Sequence, residues 1–201
     1  MNSSTTIVDL IRHGEPVGGP MFRGSQDDPL SEAGWRQMHA AVSEHDVWDR
    51  IITSPLLRCR KFAEQLATER GLPLEQDERL REISFGDWEG MTADAILAHD
   101  PEALTRFWND PVANPPPGGE SMSEFYARVR AAWHHWCQEA AGQRLLVVCH
   151  GGVIRMILAE VMGIPLARSF SALTVPYACR SRVRIDHSEH GVLSCLQSHG
   201  T

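Results

Sequence analysis

Histidine and arginine side chains stand at the ends of apolar segments in this sequence. Arg12 and His13 directly follow residues 5–11, and His150 directly follows residues 144–149. A neutral imidazole is a nucleophile that forms covalent intermediates, and a guanidinium group binds phosphate oxygens in a bidentate manner. These residue types together predict phosphoryl transfer, in which negative charge is spread over three oxygens.

Arg58 is the second arginine of this predicted anion site. It lies one turn into the helix that is predicted to follow residues 50–53. We expect Arg12 and Arg58 to bind phosphate oxygens. Their positive charges should also depress the pKa of His13, so that its nucleophilic neutral form dominates near pH 7.

His150 and Gly151 are predicted to complete the phosphate pocket. His150 offers a hydrogen-bond donor, and Gly151 stands at the predicted N-terminus of a helix, where the dipole favours an anion. We therefore expect both residues to contact the phosphate of a substrate.

A carboxylic acid is needed to protonate the leaving alkoxide. Glu82 is the preferred candidate, and Glu15 and Glu89 are its competitors. The arginines favour the ionised form of Glu82, whereas a bound phosphate dianion favours the protonated form. The acid is therefore expected to form in the complex.

Strand and helix patterns alternate along the chain. Apolar and β-branched residues predict buried strands over 5–11, 50–53 and 144–149. A hairpin at a sheet edge is predicted for 182–187 and 192–196, with its turn around His190-Gly191. The pattern predicts an α/β fold: a three-layer α/β/α arrangement with a mainly parallel sheet and a small helical cap.

Capping residues predict where the helices begin and end. Ser54-Pro55 predicts a helix start with Ser54 as N-cap, and Gly71 predicts the end of that helix. Ser121 and Glu124 have the spacing of a capping box, which predicts a long helix running toward residue 142.

Length and composition limit the organisation and the partners. The 201 residues predict one domain over 1–201, with residues 85–125 as a cap insertion. A net charge of −7 argues against a nucleic-acid-binding face, and no segment is long and apolar enough for a membrane span. Five scattered cysteines, with no C-x-x-C pair, indicate reduced thiols and a cytoplasmic protein.

Five ordered motifs resemble those of the histidine phosphatase superfamily, the phosphoglycerate-mutase-like fold. The motifs are Leu10-Ile-Arg-His-Gly-Glu15, Ser54-Pro-Leu-Leu-Arg58, Glu82 ahead of Phe85-Gly-Asp-Trp-Glu89, Gly118-Gly-Glu-Ser121, and His150-Gly151. The resemblance covers about residues 5 to 160. It implies the same layered α/β fold, no metal and no other cofactor.

The resemblance also implies a role for each candidate residue. His13 matches the phosphorylated histidine, Glu82 matches the proton donor, and Arg12, Arg58 and His150 match the phosphate pocket. It further implies a small-molecule phosphomonoester as substrate, whereas the oligomeric state stays open.

A narrower resemblance is to bacterial α-ribazole phosphatases, which act on α-ribazole 5′-phosphate in cobalamin assembly. The features that carry it are Phe85–Glu89, Phe107-Trp108, the segment 116–121, and the segment 23–30 ahead of Gly34-Trp35. Many members have an asparagine shortly after the R-H-G-E motif, where this chain has Pro16-Val-Gly-Gly19. Arg23 is either its substitute in the pocket or a surface residue.

The leading hypothesis is hydrolysis of α-ribazole 5′-phosphate through phospho-His13. Alternatives are a broad phosphatase of sugar phosphates or nucleotides, a phosphoglycerate mutase, and an inactive phospho-ligand binding module. Trp88 and Trp108 are candidates for the pocket wall, whereas Trp35, Trp133 and Trp136 are expected in the core or half-buried on helix faces.

Overall fold

The computed structural model describes residues 4–189 and 191–200. Six strands form one sheet: β1 Ser4–Arg12, β2 Arg50–Thr53, β3 Leu74–Gln76, β4 Arg144–Cys149, β5 Arg180–Ser188 and β6 Gly191–His199. Their order across the sheet is β3-β2-β4-β1-β5-β6. The sequence pattern did not indicate the short β3.

The sheet is mixed, which corrects the expectation of a mainly parallel sheet. The pairs β1–β4, β2–β4 and β2–β3 are parallel, whereas β5 runs antiparallel to β1 and β6 runs antiparallel to β5. For β6 the physical reason is the short connection: β5 and β6 are adjacent in sequence with no crossover helix between them, so this pair can only be antiparallel.

Six helices connect and cover the strands: α1 Glu32–Ala40, α2 Leu57–Arg70, α3 Ala93–His99, α4 Ala103–Asn109, α5 Met122–Glu139 and α6 Gly151–Met162. Alternate residues of β4 face opposite sides of the sheet. Leu146 and Val148 pack in one buried cluster with Met38 of α1 and Phe62 of α2. Neighbouring strand residues pack in a second cluster with α5 and α6. The α/β class is thus confirmed, with helices on both faces.

Two of the predicted helix ends are confirmed and one is wrong. Ser121 and Glu124 form both hydrogen bonds of the capping box, and Gly71 ends α2 with φ of 64°. The N-cap of α2 is Leu56, so Ser54 is not the cap. The Ser54 hydroxyl instead lies 2.7 Å from Nε2 of His150 and is therefore part of the candidate site.

The segment between β3 and α5 holds α3 and α4. Phe107 of α4 is fully buried and makes edge-to-face ring contacts with Phe85, Trp88 and Phe170. These contacts join the segment to the core on the α5–α6 side of the sheet. A single domain over 1–201 with residues 85–125 as a cap insertion stays a prediction.

Among residues 4–189 and 191–200, no helix combines the length and the apolar character needed to cross a bilayer.

Candidate active site

The carboxyl ends of β1 and β4 bring His13 and His150 together. The two strands are parallel neighbours with Arg12 opposite Cys149, and the backbone N–H of His13 donates to the Cys149 carbonyl at 3.0 Å. The imidazole rings that follow lie edge to face with their centroids 5.2 Å apart. Both histidines therefore reach one point at the edge of the sheet.

Close backbone packing fixes the loop that carries His13. A Cβ atom at Gly14 would lie 2.2 Å from the carbonyl oxygen of Gly34, near the start of α1. Such a contact is far inside van der Waals distance, so only glycine allows α1 to approach this loop. The approach holds His13 at the strand end.

His13 has the protonation state of a nucleophile. Its Nδ1 lies 2.7 Å from the Gly14 carbonyl, which can only accept a hydrogen bond, so Nδ1 carries the proton and Nε2 carries a lone pair. Burial, and then the charges of Arg58 and Arg12, hold the pKa of His13 well below its usual value of 6.5. The neutral imidazole is thus the favoured form.

Arg12 and Arg58 each keep one buried N–H group without a partner in the described part of the chain. Arg12 donates from Nη1 to the Val175 carbonyl at 2.6 Å, and its guanidinium carbon lies 4.3 Å from the ring centre of Tyr177. Arg58 donates from Nη2 to the Gly24 carbonyl at 2.9 Å. The Nε of each arginine has no partner. Two unpaired cationic donors at one site are suited to an anion.

His150 is fully buried, precedes the first turn of α6 and contacts the His13 ring. Burial, and then the charge of Arg58 and the proximity of His13, hold its pKa well below 6.5. Its Nε2 pairs with the Ser54 hydroxyl, and Cys59 Sγ lies 3.6 Å from the same atom. The ring is therefore neutral and held by α2 residues and the turn before them.

Glu82 is held beside the same helix. Its Oε2 accepts from the backbone N–H of Gly152 at 3.0 Å, and its Oε1 accepts from the N–H of Ile83 at 3.1 Å. The carboxylate lines the same cavity as His13 and Arg12. Glu82 and His13 therefore line one cavity, and the role of Glu82 as the proton donor stays a prediction.

The competing carboxylates are engaged elsewhere. Glu15 Oε1 accepts from the Ser31 hydroxyl at 3.1 Å, at the N-terminus of α1. Glu89 accepts from the backbone and hydroxyl of Ser25, from the backbone of Phe85 and from further donors of both loops. Neither residue lines the cavity.

A cavity of about 500 Å³ opens in front of His13. Charged side chains of Arg12, Glu82 and Arg155 and aromatic side chains of Phe22, Trp108 and Phe170 both line this cavity.

A family model described as the histidine phosphatase superfamily, branch 1, matches residues 8–197. The chain belongs to this superfamily. This histidine phosphatase is similar to the protein named probable phosphoglycerate mutase GpmB from Yersinia enterocolitica. The two are 32% identical over 162 residues, which cover 79% of this chain and 75% of that protein.

Solved structures of phosphatases share the fold of this histidine phosphatase. A mycobacterial glucosyl-3-phosphoglycerate phosphatase matches with a TM-score of 0.86 and 26% identity, over 100% of both chains. The α-ribazole phosphatase from Shigella flexneri matches with a TM-score of 0.79 and 27% identity, over 97% of this chain and 96% of its own. This chain is accordingly a phosphoric monoester hydrolase.

The site of this histidine phosphatase differs from the expected one in how the phosphate-pocket residues are placed. Arg12 and Gly151 line the cavity, whereas Arg58 and His150 are fully buried and do not line it. Arg58 also supports the loop that follows Arg23, through the carbonyls to which it donates. We expect these two residues to act on His13 at least as much as on the phosphate.

Arg23 lies at the cavity but its donors are in use. Its Nε pairs with Asp28 at 2.7 Å, and its terminal nitrogens donate to the carbonyls of Gly19 and Val17, each at 2.7 Å. It is therefore a buried wall residue of the cavity and not a surface residue. Its role in holding phosphate stays a prediction.

Sequence reasoning missed Arg155 and Tyr177, which line the cavity of the histidine phosphatase. Arg155 had a usable signal, because it stands four residues after Gly151 on α6 and therefore on the same helix face. Tyr177 lies in an irregular segment before β5 that carries no local pattern. Its ring lies 5.8 Å from that of His13.

The predicted tryptophans divide between cavity and core. Trp108 lines the active-site cavity, whereas Trp88 is buried against Phe22 and lines a separate cavity under α3 and α4. Trp133 and Trp136 of α5 are buried, as predicted. In the described residues, no three His, Cys, Asp or Glu side chains converge as a metal site requires.

Proposed function

We propose that this phosphatase works in two steps through a phosphohistidine at His13. The main support is the contact of His13 Nδ1 with the Gly14 carbonyl, which leaves the lone pair on Nε2, together with the unpaired Nε–H groups of Arg12 and Arg58, whose charges act on His13. The lone pair attacks phosphorus, a P–N bond forms, and the P–O bond to the leaving alcohol breaks. Water then attacks phosphorus and breaks the P–N bond, which releases inorganic phosphate.

Glu82 supplies and recovers the proton in this proposal. In the first step its carboxylic acid protonates the leaving oxygen, so that an alcohol and not an alkoxide departs. In the second step its carboxylate takes a proton from the attacking water. The N–H of Gly152 keeps the carboxylate directed into the cavity throughout.

Positive groups stabilise the transferring phosphoryl group. Arg12 and the N-terminus of α6 at Gly151 line the cavity. In this proposal they bind the equatorial oxygens of the transferring phosphoryl group. Burial, followed by the charges of Arg58 and Arg12, favours the neutral form of His13, and the His150 ring packs edge to face against it. A preorganised donor of this kind contributes on the order of 3 kcal/mol to transition-state stabilisation.

We propose α-ribazole 5′-phosphate as the leading substrate, with cobalamin assembly as its context and the cytosol as the location. The support is the set of aromatic side chains that line the cavity, Phe22, Trp108 and Phe170, which suit a planar benzimidazole. The likeness to the Shigella flexneri α-ribazole phosphatase agrees with this choice.

A second candidate class is a phosphoester that also carries a carboxylate. Arg155 lines the cavity and donates a hydrogen bond to the Leu173 carbonyl, and no ion pair to a carboxylate is found for it among the described residues. Relatives named for phosphoglycerate and glucosyl-3-phosphoglycerate fit this class. Sugar phosphates and nucleotides form the broad-specificity alternative.

An acid-quench experiment tests the mechanism. Substrate labelled in the phosphate is mixed with enzyme, and an acid-labile phosphoprotein should appear before free phosphate reaches steady state. His13→Ala should form none, whereas His45→Ala, at an exposed histidine, should behave as wild type. If wild type forms no phosphoprotein at any time point while it turns over, the covalent mechanism is wrong.

A substrate panel tests the choice of substrate. It comprises α-ribazole 5′-phosphate, glucosyl-3-phosphoglycerate, sugar phosphates and nucleotides, together with an assay for interconversion of 2- and 3-phosphoglycerate. The proposal requires the highest kcat/KM for α-ribazole 5′-phosphate. A higher value for a carboxylate-bearing ester would move the assignment to the second class, and interconversion without hydrolysis would make the enzyme a mutase.

A further inference from the structure

β6 is an edge strand with a long exposed surface. It pairs with β5 on one side, and no strand lies on its other side in the described part of the chain. Nearly all of its nine residues are solvent-exposed or half-exposed, and Val192 and Leu193 are 59% and 74% exposed. An exposed edge of this length normally carries lysine, proline or an inward charge that prevents pairing with another strand.

The segment Gly191–His199 carries none of these protective features. It contains no Asp, Glu, Lys, Arg or Pro. A second copy of the same strand therefore meets no like-charge repulsion there, although the whole chain has a net charge of −7. The charge-free edge is thus complementary to itself.

The hydrogen-bonding phase of the sheet shows which β6 groups point outward. The N–H of Ile7 donates to the Gln143 carbonyl, on the β4 side. The backbone N–H and C=O groups of the even-numbered residues of β1 therefore point toward β5. Thr6 lies opposite Ile185, so the odd-numbered residues of β5 point toward β1 and the even-numbered ones point toward β6. Arg184 lies opposite Cys195, so the odd-numbered residues of β6 point toward β5. The N–H and C=O groups of Val192, Ser194 and Leu196 therefore point away from the sheet.

A β-bulge limits the register of any added strand. The β5–β6 register shifts between Arg182 and Val183. The regular alternation, in which the N–H and C=O groups of even-numbered β6 residues point outward, therefore covers residues 192 to 196 only. An antiparallel copy that uses this stretch alone must centre on Ser194. Val192 then lies opposite the partner's Leu196, and every outward group in the stretch has a hydrogen-bonding partner.

We propose that this chain forms a homodimer in which two β6 strands pair antiparallel about a two-fold axis at Ser194. The two sheets then continue into one another. The pairing covers the exposed Val192, which also lines a groove of about 340 Å³ with Trp133 and Ile185. On the other face of the joined sheet, Leu193 lies directly opposite the partner's Cys195. These two residues do not hydrogen-bond to each other across the pairing, so they form one of its narrow pairs.

Sedimentation velocity of the full chain over roughly 1–100 μM tests the dimer. Wild type should sediment at twice the chain mass of 22.4 kDa. Ser194→Pro removes an outward N–H without touching the β5 ladder and should sediment as a monomer with unchanged phosphatase activity. Ser194→Thr keeps the N–H and should stay dimeric. A monomeric wild type, or a dimer that Ser194→Pro leaves intact, overturns the proposal.

Disulfide trapping tests the register and does not depend on the proline variant. Narrow antiparallel pairs have Cα atoms about 4.5 Å apart, within disulfide range. Leu193→Cys should therefore cross-link to the partner's Cys195 on mild oxidation, and adding Cys195→Ser should abolish the covalent dimer. Cross-linking of wild type through two Cys195 residues would place the axis one residue away and overturn this register.

Discussion

The Glu82 carboxylate and the backbone of Gly152 are in direct contact. The Gly152 N–H donates to Glu82 Oε2 at 3.0 Å, and a Cβ atom at residue 152 would lie 2.2 Å from Glu82 Oε1. The first turn of α6 thus both binds the carboxylate and leaves just enough room for it. The position of the proposed acid depends on a residue that has no side chain.

Gly152→Ala should therefore lower kcat roughly 100-fold, because a displacement of about 1 Å at a reacting group has that effect. Steady-state kinetics and a thermal melt provide the measurement, and the fold should persist because the displaced group is a side chain. Glu82→Gln gives the comparison. Adding Gly152→Ala to Glu82→Gln should cause little further loss, and a fully multiplicative loss would show that residue 152 acts by another route.

The pH dependence of kcat/KM should show an acid limb that lies below pH 6.5. Burial, followed by the charges of Arg58 and Arg12, lowers the pKa of His13, so the neutral nucleophile persists below its usual range. Arg12→Met removes one of these charges and should move the limb to higher pH. Arg36→Met, at an exposed arginine, should not move it. The same substrate is used throughout so that its own ionisation cancels, and an unmoved limb in Arg12→Met would exclude this electrostatic role.

Stability should fall as the pH drops from about 6.5. His13 and His150 resist protonation when folded, since their pKa values lie well below 6.5, whereas in the unfolded chain both titrate near 6.5. The unfolded state therefore binds more protons, and each histidine lowers the free energy of unfolding by up to about 1.4 kcal/mol per pH unit until its folded pKa is reached.

Urea titrations between pH 8 and pH 5.5 check this prediction. His150→Gln should show a shallower loss of stability than wild type across the window, because one of the two linked groups is gone. His45→Gln should keep the wild-type slope. Equal slopes in all three proteins would mean that other groups dominate acid unfolding.

Arg12 and Arg155 should have separable effects on substrate choice. Arg12→Met should lower kcat/KM for every phosphoester, by roughly 100-fold, because it removes a donor to the transferring group. Arg155→Met should raise KM roughly tenfold for carboxylate-bearing esters only, since a hydrogen bond to a charged group contributes about 1.5–3 kcal/mol. Parallel kinetics on a carboxylate-bearing and a carboxylate-free ester distinguish the two. A uniform effect of Arg155→Met would assign it to the phosphate.

The sequence was informative where local chemistry decides the outcome. The apolar run of β1 and the capping box at Ser121 predicted their elements closely, and the strand-end rule placed His13 and His150 together. The N-cap at Ser54 was wrong because tertiary contact with His150 takes its hydroxyl. Local propensity could not reveal that competing partner.

Long-range features of the cavity lay outside this reasoning. Tyr177 reaches His13 from a segment more than 160 residues later in the chain, and no period or motif marks it. The burial of Arg58 depends on carbonyls of residues 23 to 26, which only the folded loop brings near. The meeting of His13 and His150 was thus predictable from the sequence, whereas the burial of Arg58 was not.

Glu89 has a consequence for how the site meets its substrate. Its carboxylate accepts hydrogen bonds from Ser25 and Gln26 on one loop and from Ser84 and Phe85 on another. The first loop also supplies the carbonyls that orient Arg58, so the guanidinium is aligned before any ligand arrives. These loops and the Arg58 side chain therefore lose little conformational entropy when a ligand binds. Inorganic phosphate alone should bind without rearranging them.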